Sequence, residues 1–497
     1  MFRQRSCGIL LHPTSLPGAG GIGTFNSDAR CFVDLLSGLG FSLWQVLPLT
    51  PPAYGNSPYS SLSAFAGNPL LIDLDQMVKE GDLDGKLDFN GVDSASVDFT
   101  RLHEDKIALL RLAARRFLDG EVDWRKEQFW HFCDTTPWLH DYALFMALKH
   151  HYKGSCWHRW PAAAQLKSGC YEQLSVEHGP EIGVQKYIQW QFYRQWDALR
   201  SYANQKGVRI IGDIPIFVAY DSADVWCNPG MFLLDGKGRP TEVAGVPPDY
   251  FSANGQLWGN PLYNWNAIEH DGYRWWVERI RHSLRLFDAI RIDHFRGFEA
   301  AWQVPATHRT ARHGRWVKGP GRRLFDVLKA ELGELPIMAE DLGVITPEVG
   351  ALRDHYSFPG MNILQFAFDS GPDNPYLPHN HSRHSVVYTG THDNDTTQGW
   401  IESLASAQKE SVCNYAGCHE DELLEGVVRL AMMSVADTAI LPFQDLLRLG
   451  TEARMNLPGI AAGNWGWRFQ QDMLEGIDLK GFYQTVHRYG RAGSGAR

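Results

Sequence analysis

The chain has 497 residues, 44% of them hydrophobic, and a formal net charge of −10; it can build a large core, but no basic block could follow a phosphate backbone, which excludes nucleic acid as a partner. No stretch approaches a membrane span, and the start MFRQRSCGILLHPTSLPG, its short apolar run broken by His12 and Pro13, reads as a first strand rather than a signal peptide. The eight cysteines show neither zinc-type pairs nor a compact disulfide frame, which points to reduced thiols and a cytoplasmic protein.

Along the chain, short apolar runs alternate with helical patterns, the signature of parallel strands joined by crossovers. Eight strands are predicted, at 8–12, 43–47, 209–214, 289–293, 337–340, 362–366, 385–389 and 438–442. Amphipathic segments at 183–205, 273–284 and 422–435 precede three of them. That rhythm favours a (β/α)8 TIM barrel over an open sheet, and a barrel with long loops absorbs residues 1–497 as one catalytic unit. The long gaps predict insertions: a mostly helical subdomain at 51–180, with helical stretches at 102–118 and 139–151, and further segments at 215–272 and 297–321. All leave from the C-terminal face, so they should wall the pocket.

Gly18-Ala19-Gly20-Gly21-Ile22-Gly23 satisfies a dinucleotide fingerprint in spelling only. Pro13 and Pro17 interrupt the approach, and the second strand ends without the acidic residue a ribose requires; a glycine-rich turn is the alternative. Eighteen tryptophans are more than core packing needs, and several aromatic residues sit in Gly, Pro and Asn-rich loops, as at Tyr250-Phe251, Trp258-Gly259 and Asn464-Trp465-Gly466-Trp467. Such rings either stack on sugar faces or plug the insertions onto the barrel.

Three acidic residues end separate apolar runs: Asp293 in AIRIDHFRG, Glu340 in PIMAEDLG and Asp393 in VVYTGTHDNDT. A barrel gathers the C-terminal ends of its strands around one pocket, so these carboxylates can share a substrate. In Arg291-Ile292-Asp293 the two charged side chains alternate with an apolar one and point the same way from a strand. A guanidinium there favours the ionised form that a nucleophile requires; a structural ion pair capping the barrel is the alternative. Asp393 and Asp395 form an Asp-x-Asp pair, too few acids to specify a divalent metal.

The strings AIRIDHFRG, AEDLG and THDNDT resemble the catalytic strand ends of the alpha-amylase clan. Together with HPTSLPG, YGNSPYSSLSAFAGNP, GDIPIFVAYDSADVW and GVPPDYFSANGQLWGNPLY, they are similar to the amylomaltases, the bacterial 4-alpha-glucanotransferases of glycoside hydrolase family 77, from about residue 8 to 469. The resemblance implies Asp293 as nucleophile, Glu340 as acid/base and Asp393 as the carboxylate that stabilises the transition state; Asp341 takes no catalytic role. It implies donor-site roles for His294, His392, Asp213 and Arg291, a stacking ring at Tyr59, and glucan contacts from Tyr250, Phe251, Gln256, Trp258 and Asn464. The expected substrates are maltooligosaccharides and other alpha-1,4-glucans, with no metal and no redox or group-carrying cofactor, and no C-terminal β domain is expected. An alpha-glucan hydrolase would use the same three acids and let water collect the sugar.

Overall fold

The computed structural model describes residues 2–18, 20–53, 55–85, 95–165, 169–248, 252–460 and 462–493. Its strands are β1 (Ser6–Leu10), β2 (Leu43–Gln45), β3 (Arg209–Pro215), β4 (Glu242–Val246), β5 (Gln256–Pro261), β6 (Ala289–Asp293), β7 (Ala300–Pro305), β8 (Arg315–Lys318), β9 (Ile337–Ala339), β10 (Gly360–Ile363), β11 (Ser385–Tyr388) and β12 (Thr438–Pro442). Eight of them form one sheet in the order β10-β11-β12-β1-β2-β3-β6-β9, with parallel pairing throughout. The ring closes between β9 and β10 through a hydrogen bond from the Ala339 N–H to the Pro359 carbonyl, 3.0 Å. The fold is a TIM barrel, and these eight are the strands the apolar runs predict.

One boundary moves. The run expected at 362–366 becomes a strand at Gly360–Ile363 followed by a 3-10 turn at Leu364–Phe366. Asp341 explains the earlier start: its carboxylate accepts the Met361 N–H at 2.8 Å, and a Cβ on residue 360 would lie 2.3 Å from that carboxylate. Only glycine admits so close an approach.

The helices behind the strands follow from apolar stripes with good ends. Ser27–Leu39 starts on Asn26, whose side chain accepts two backbone N–H groups, and stops at Gly40 in the left-handed region. Gly179–Gln205 carries buried Trp190, Trp196 and Leu199, and Arg274–Leu286 buries Trp276 and Ile280. Residues 51–180 hold helices at Leu74–Lys79, Phe99–Asp119, Trp124–Thr135, Leu139–His151 and Tyr171–Glu177. Among the described residues, no helix is long and apolar enough to cross a membrane.

Segments 215–272 and 297–321, expected as separate insertions, share one antiparallel sheet in the order β5-β4-β7-β8. Glu242 pairs with Pro305 and Ala300 with Lys318. The sheet brings β5 against the barrel mouth.

At the seam between β1 and β12 lies Arg491, fully buried after the helix Leu479–Arg488. Its guanidinium donates to the carbonyls of Ser6, Met432 and Ala436, and burial lowers its pKa to about 10. Arg5 repeats the device, donating to Met432, Ser434 and Tyr489 carbonyls.

Candidate active site

The ends of β6 and β9 are laced together beyond their last ladder positions. The Glu340 N–H donates to the Ile292 carbonyl at 3.0 Å, and the Phe295 N–H donates to the Glu340 carbonyl at 3.1 Å. Between them His294 adopts φ +54°, a left-handed conformation in which histidine is among the better-tolerated residues, and its N–H donates to Glu340 Oε2 at 2.7 Å. The other oxygen, Oε1, accepts the Leu342 N–H at 2.8 Å. Both carboxyl oxygens are thus positioned by backbone.

Beside it, Arg291 is buried and reaches two carboxylates, Asp213 Oδ2 at 2.6 Å and Asp293 Oδ1 at 3.0 Å. Asp213 comes from β3, in register with Arg291 on β6, so the ion pair is a cross-strand contact. The Tyr59 hydroxyl adds a third tie, donating to Asp213 Oδ2 at 2.7 Å. Burial raises the Asp213 carboxyl, with Arg291 opposing. For Glu340, burial first and the neighbouring Asp293 second push the pKa up to about 8, against Arg291 and the two backbone N–H groups. A carboxyl raised in this way favours its protonated form, the form from which a carboxyl can act as an acid.

Asp393 stands on a loop after β11, not on a strand. Its carboxylate accepts from Asn456 Nδ2 at 2.5 Å and lies 3.4 Å from His392 Nε2. His392 is buried, which lowers its pKa, and its ring is stacked on Tyr59 with centroids 5.1 Å apart and planes 12° apart. Tyr59 thereby bridges Asp213 beneath the barrel mouth to His392 beside Asp393. His294 packs edge-on to Trp258 at 4.7 Å, and burial pushes its pKa down to about 3. Trp258, on β5, is 38% exposed, and its indole N–H donates to Gln256 Oε1 at 3.2 Å. The second sheet thus presents an open aromatic face at the mouth.

The structure therefore gathers Asp213, Arg291, Asp293, His294, Glu340, Tyr59, His392, Asp393, Gln256 and Trp258. Asn464, expected as a glucan contact, accepts the Leu457 N–H at its Oδ1 and donates from its amide to the Leu457 and Ile460 carbonyls. Its side chain holds its own turn. Residues 249–251, including the predicted contacts Tyr250 and Phe251, lie outside the described residues. Asp341 is engaged by Arg353 and the Met361 N–H, and Asp395 by Thr396 and Thr451. Gly23 closes the glycine-rich turn, where a Cβ would meet the Pro13 carbonyl at 1.9 Å. Of the loop aromatics, Trp465 is buried beside Tyr59 and His392, with ring centroids 5.9 and 6.0 Å away, and Trp467 is half-buried, whereas Trp258 stays open.

Two residues of the site carried no signal in the sequence. Arg454 donates to the Asp393 carbonyl at 2.6 Å and to the Asn456 carbonyl at 2.8 Å, and the Asn456 N–H donates to the His392 carbonyl at 3.0 Å. They lie in TEARMNLPG, more than 60 positions from the residues they hold.

Comparison with known proteins agrees with the barrel fold. A family model described as glycoside hydrolase family 77, 4-alpha-glucanotransferase, matches residues 11–474. The chain is 49% identical to the 4-alpha-glucanotransferase of Thermus thermophilus, covering 98% of this chain and 100% of that protein. It is 47% identical to that of a Synechocystis species, with 95% of each covered. Among solved structures, the amylomaltase of Streptococcus agalactiae in complex with acarbose superposes with a TM-score of 0.95 at 38% identity, covering 98% of this chain and 100% of that one.

Proposed function

This chain belongs to the 4-alpha-glucanotransferases of glycoside hydrolase family 77, and from that premise we propose that Asp293, Glu340 and Asp393 carry out its transfer by retaining double displacement. Asp293 attacks the anomeric carbon of a 1,4-alpha-glucan while Glu340 protonates the departing glycosidic oxygen. The donor's non-reducing part is left covalently on Asp293. The 4-hydroxyl of glucose or another glucan then gives its proton to Glu340 and attacks the same carbon, displacing Asp293. Two inversions restore the alpha configuration. The bond made is of the same kind as the bond broken, so no cofactor need drive the reaction.

The observation that carries this reading is the asymmetry of two adjacent carboxylates. Asp293 is paired with Arg291, whereas Glu340 is pushed up to about 8 by burial and by Asp293 itself. An ion-paired carboxylate suits the nucleophile, and a carboxyl raised by burial suits the acid. Asp393 stabilises the charge that develops on the sugar, and Tyr59, Asp213, Arg291, His294 and His392 shape the donor side. Gln256 and Trp258 serve the acceptor side, together with Tyr250 and Phe251. An acceptor sugar held on such rings gains effective concentration that water does not.

Residues 1–497 act as one catalytic unit in this reading, with 51–180, 215–272 and 297–321 as its walls; the Tyr59–Asp213 bond and the Trp258–His294 contact support it. Eight free cysteines suit a reducing, cytoplasmic setting. Incubation with maltotriose tests the reaction. Transfer yields a ladder of longer and shorter maltooligosaccharides with free glucose, whereas shortening without any longer product would overturn it.

A further inference from the structure

The third carboxylate is held from one side by a single strip of chain. Thr451 Oγ1 donates to Asp395 Oδ2 at 2.8 Å, Arg454 to the Asp393 carbonyl, and Asn456 both to the Asp393 carboxylate and to the His392 carbonyl. The strip is braced in turn. Arg454 Nε donates to the Asn456 carbonyl, the Trp465 N–H donates to the Met455 carbonyl, and Asn464 ties the turn between them. Among the described residues Arg454 has no carboxylate partner, so its charge is spent on two peptide carbonyls. Each contact meets the loop that bears Asp393, and the one at Asn456 meets the carboxylate itself.

We propose that Asn456, braced by Arg454, is a positioning residue for catalysis: its amide anchors Oδ1 of Asp393 and leaves the other oxygen to the sugar. This rests on the reading of Asp393 as the third carboxylate. A carboxylate on a loop, 45% exposed at its side chain, can rotate about its own bonds. A fixed amide donor removes that freedom before substrate arrives. The benefit falls on the transition state, where geometry at the anomeric carbon is most demanding, rather than on ground-state binding.

Three measurements on the full-length enzyme test this. Asn456→Ala should lower kcat roughly 10- to 100-fold, the range for losing a hydrogen bond to a charged group, with KM changed less than about threefold. In an Asp393→Asn background the same substitution should cost almost nothing further, because Asn456 acts through that carboxylate. Asn456→Asp keeps size and shape while facing Asp393 with a second carboxyl. The other charged or titratable groups around the pair are His392, Arg454 and Asp395 on the two loops, Arg291 and Asp293 on β6, and Tyr59.

Two facing carboxyl groups share a proton at acid pH and repel once both are ionised. Activity of Asn456→Asp relative to wild type should therefore rise as pH falls, and a packing role would leave that ratio flat. Unchanged kcat in Asn456→Ala, additive losses in the double variant, or a flat ratio would each overturn the proposal. If Asp393→Asn alone kept near-normal transfer, the underlying reading of Asp393 would fail instead, and that result is separate from any outcome at Asn456. Should Asn456→Ala fold poorly, as thermal unfolding would reveal, the pH ratio of the near-isosteric Asn456→Asp still decides.

Discussion

Asp293 and Glu340 differ from Asp393 in what holds them. The first two sit at the ends of neighbouring strands, β6 and β9, where ladder hydrogen bonds, the buried Arg291–Asp213 pair and two backbone N–H groups determine their places. Asp393 sits on a loop tied down by a second loop some 60 residues on. Strand-borne groups are positioned by the barrel, which cannot shift one without disturbing its core. A loop-borne group is positioned by whatever docks on it. In the proposed reaction the chemistry of bond exchange lies with the rigid pair, and the part that meets the sugar's changing charge lies with the adjustable one.

The largest expected effect breaks the rigid pair. Asp293→Asn should lower transfer by more than about a thousandfold with thermal stability little changed, because it removes the proposed nucleophile and leaves a side chain of the same shape. The same substitution should lower the pKa of Glu340, since the Asp293 charge is one of the causes that raise it. Carboxyl-resolved NMR titration of the variant reads that shift, and an unmoved Glu340 would mean that burial alone sets its proton. Near-normal disproportionation by Asp293→Asn, free of wild-type contamination, would sink the assignment.

Glu340→Gln comes next and separates the partners of the pair. Loss of a general acid should cost roughly 10²- to 10⁴-fold on glucan donors, whose leaving oxygen needs a proton, and far less on glucosyl fluoride. Equal losses on both donors would make Glu340 a structural residue. In the wild type, a carboxyl pushed up to about 8 stays protonated through neutral pH. The glycosyl-transfer step to the enzyme should therefore fade as pH rises through that value, and a profile already falling near pH 5 would contradict the raised pKa.

The smallest effect concerns the walls. Trp258→Ala removes an open ring on β5, a sheet-borne group outside the barrel. It should change the overall rate by only a few-fold while raising the ratio of new reducing ends to redistributed chain lengths. Equal loss of hydrolysis and transfer would leave Trp258 a packing contact for His294.

The same contrast separates what was legible in the sequence from what was not. The barrel strands show as apolar runs because each is buried on both faces, and the three acids show because they end such runs or closely follow them. Asn456 and Arg454 show nothing: an amide meeting a carboxylate across 63 positions leaves no local period. The pairing of Glu242 with Pro305 is hidden for the same reason, so two insertions of one sheet read as two. Asn464 was legible as a loop residue near the site, but only the fold shows its side chain turned onto the Leu457 and Ile460 carbonyls.

The arginine at the barrel seam sets a clock on the newborn chain. Arg491 reaches back 485 positions to the Ser6 carbonyl, and β1 finds its second neighbour only in β12. At a translation rate of about 5–20 residues per second, the first strand waits roughly 20–85 seconds for that partner to be made. Through that interval one edge of β1 is an open template for any passing strand. The ribosome's pace, and whatever shelters the emerging amino terminus, therefore bear on the yield of this enzyme as directly as its final stability does.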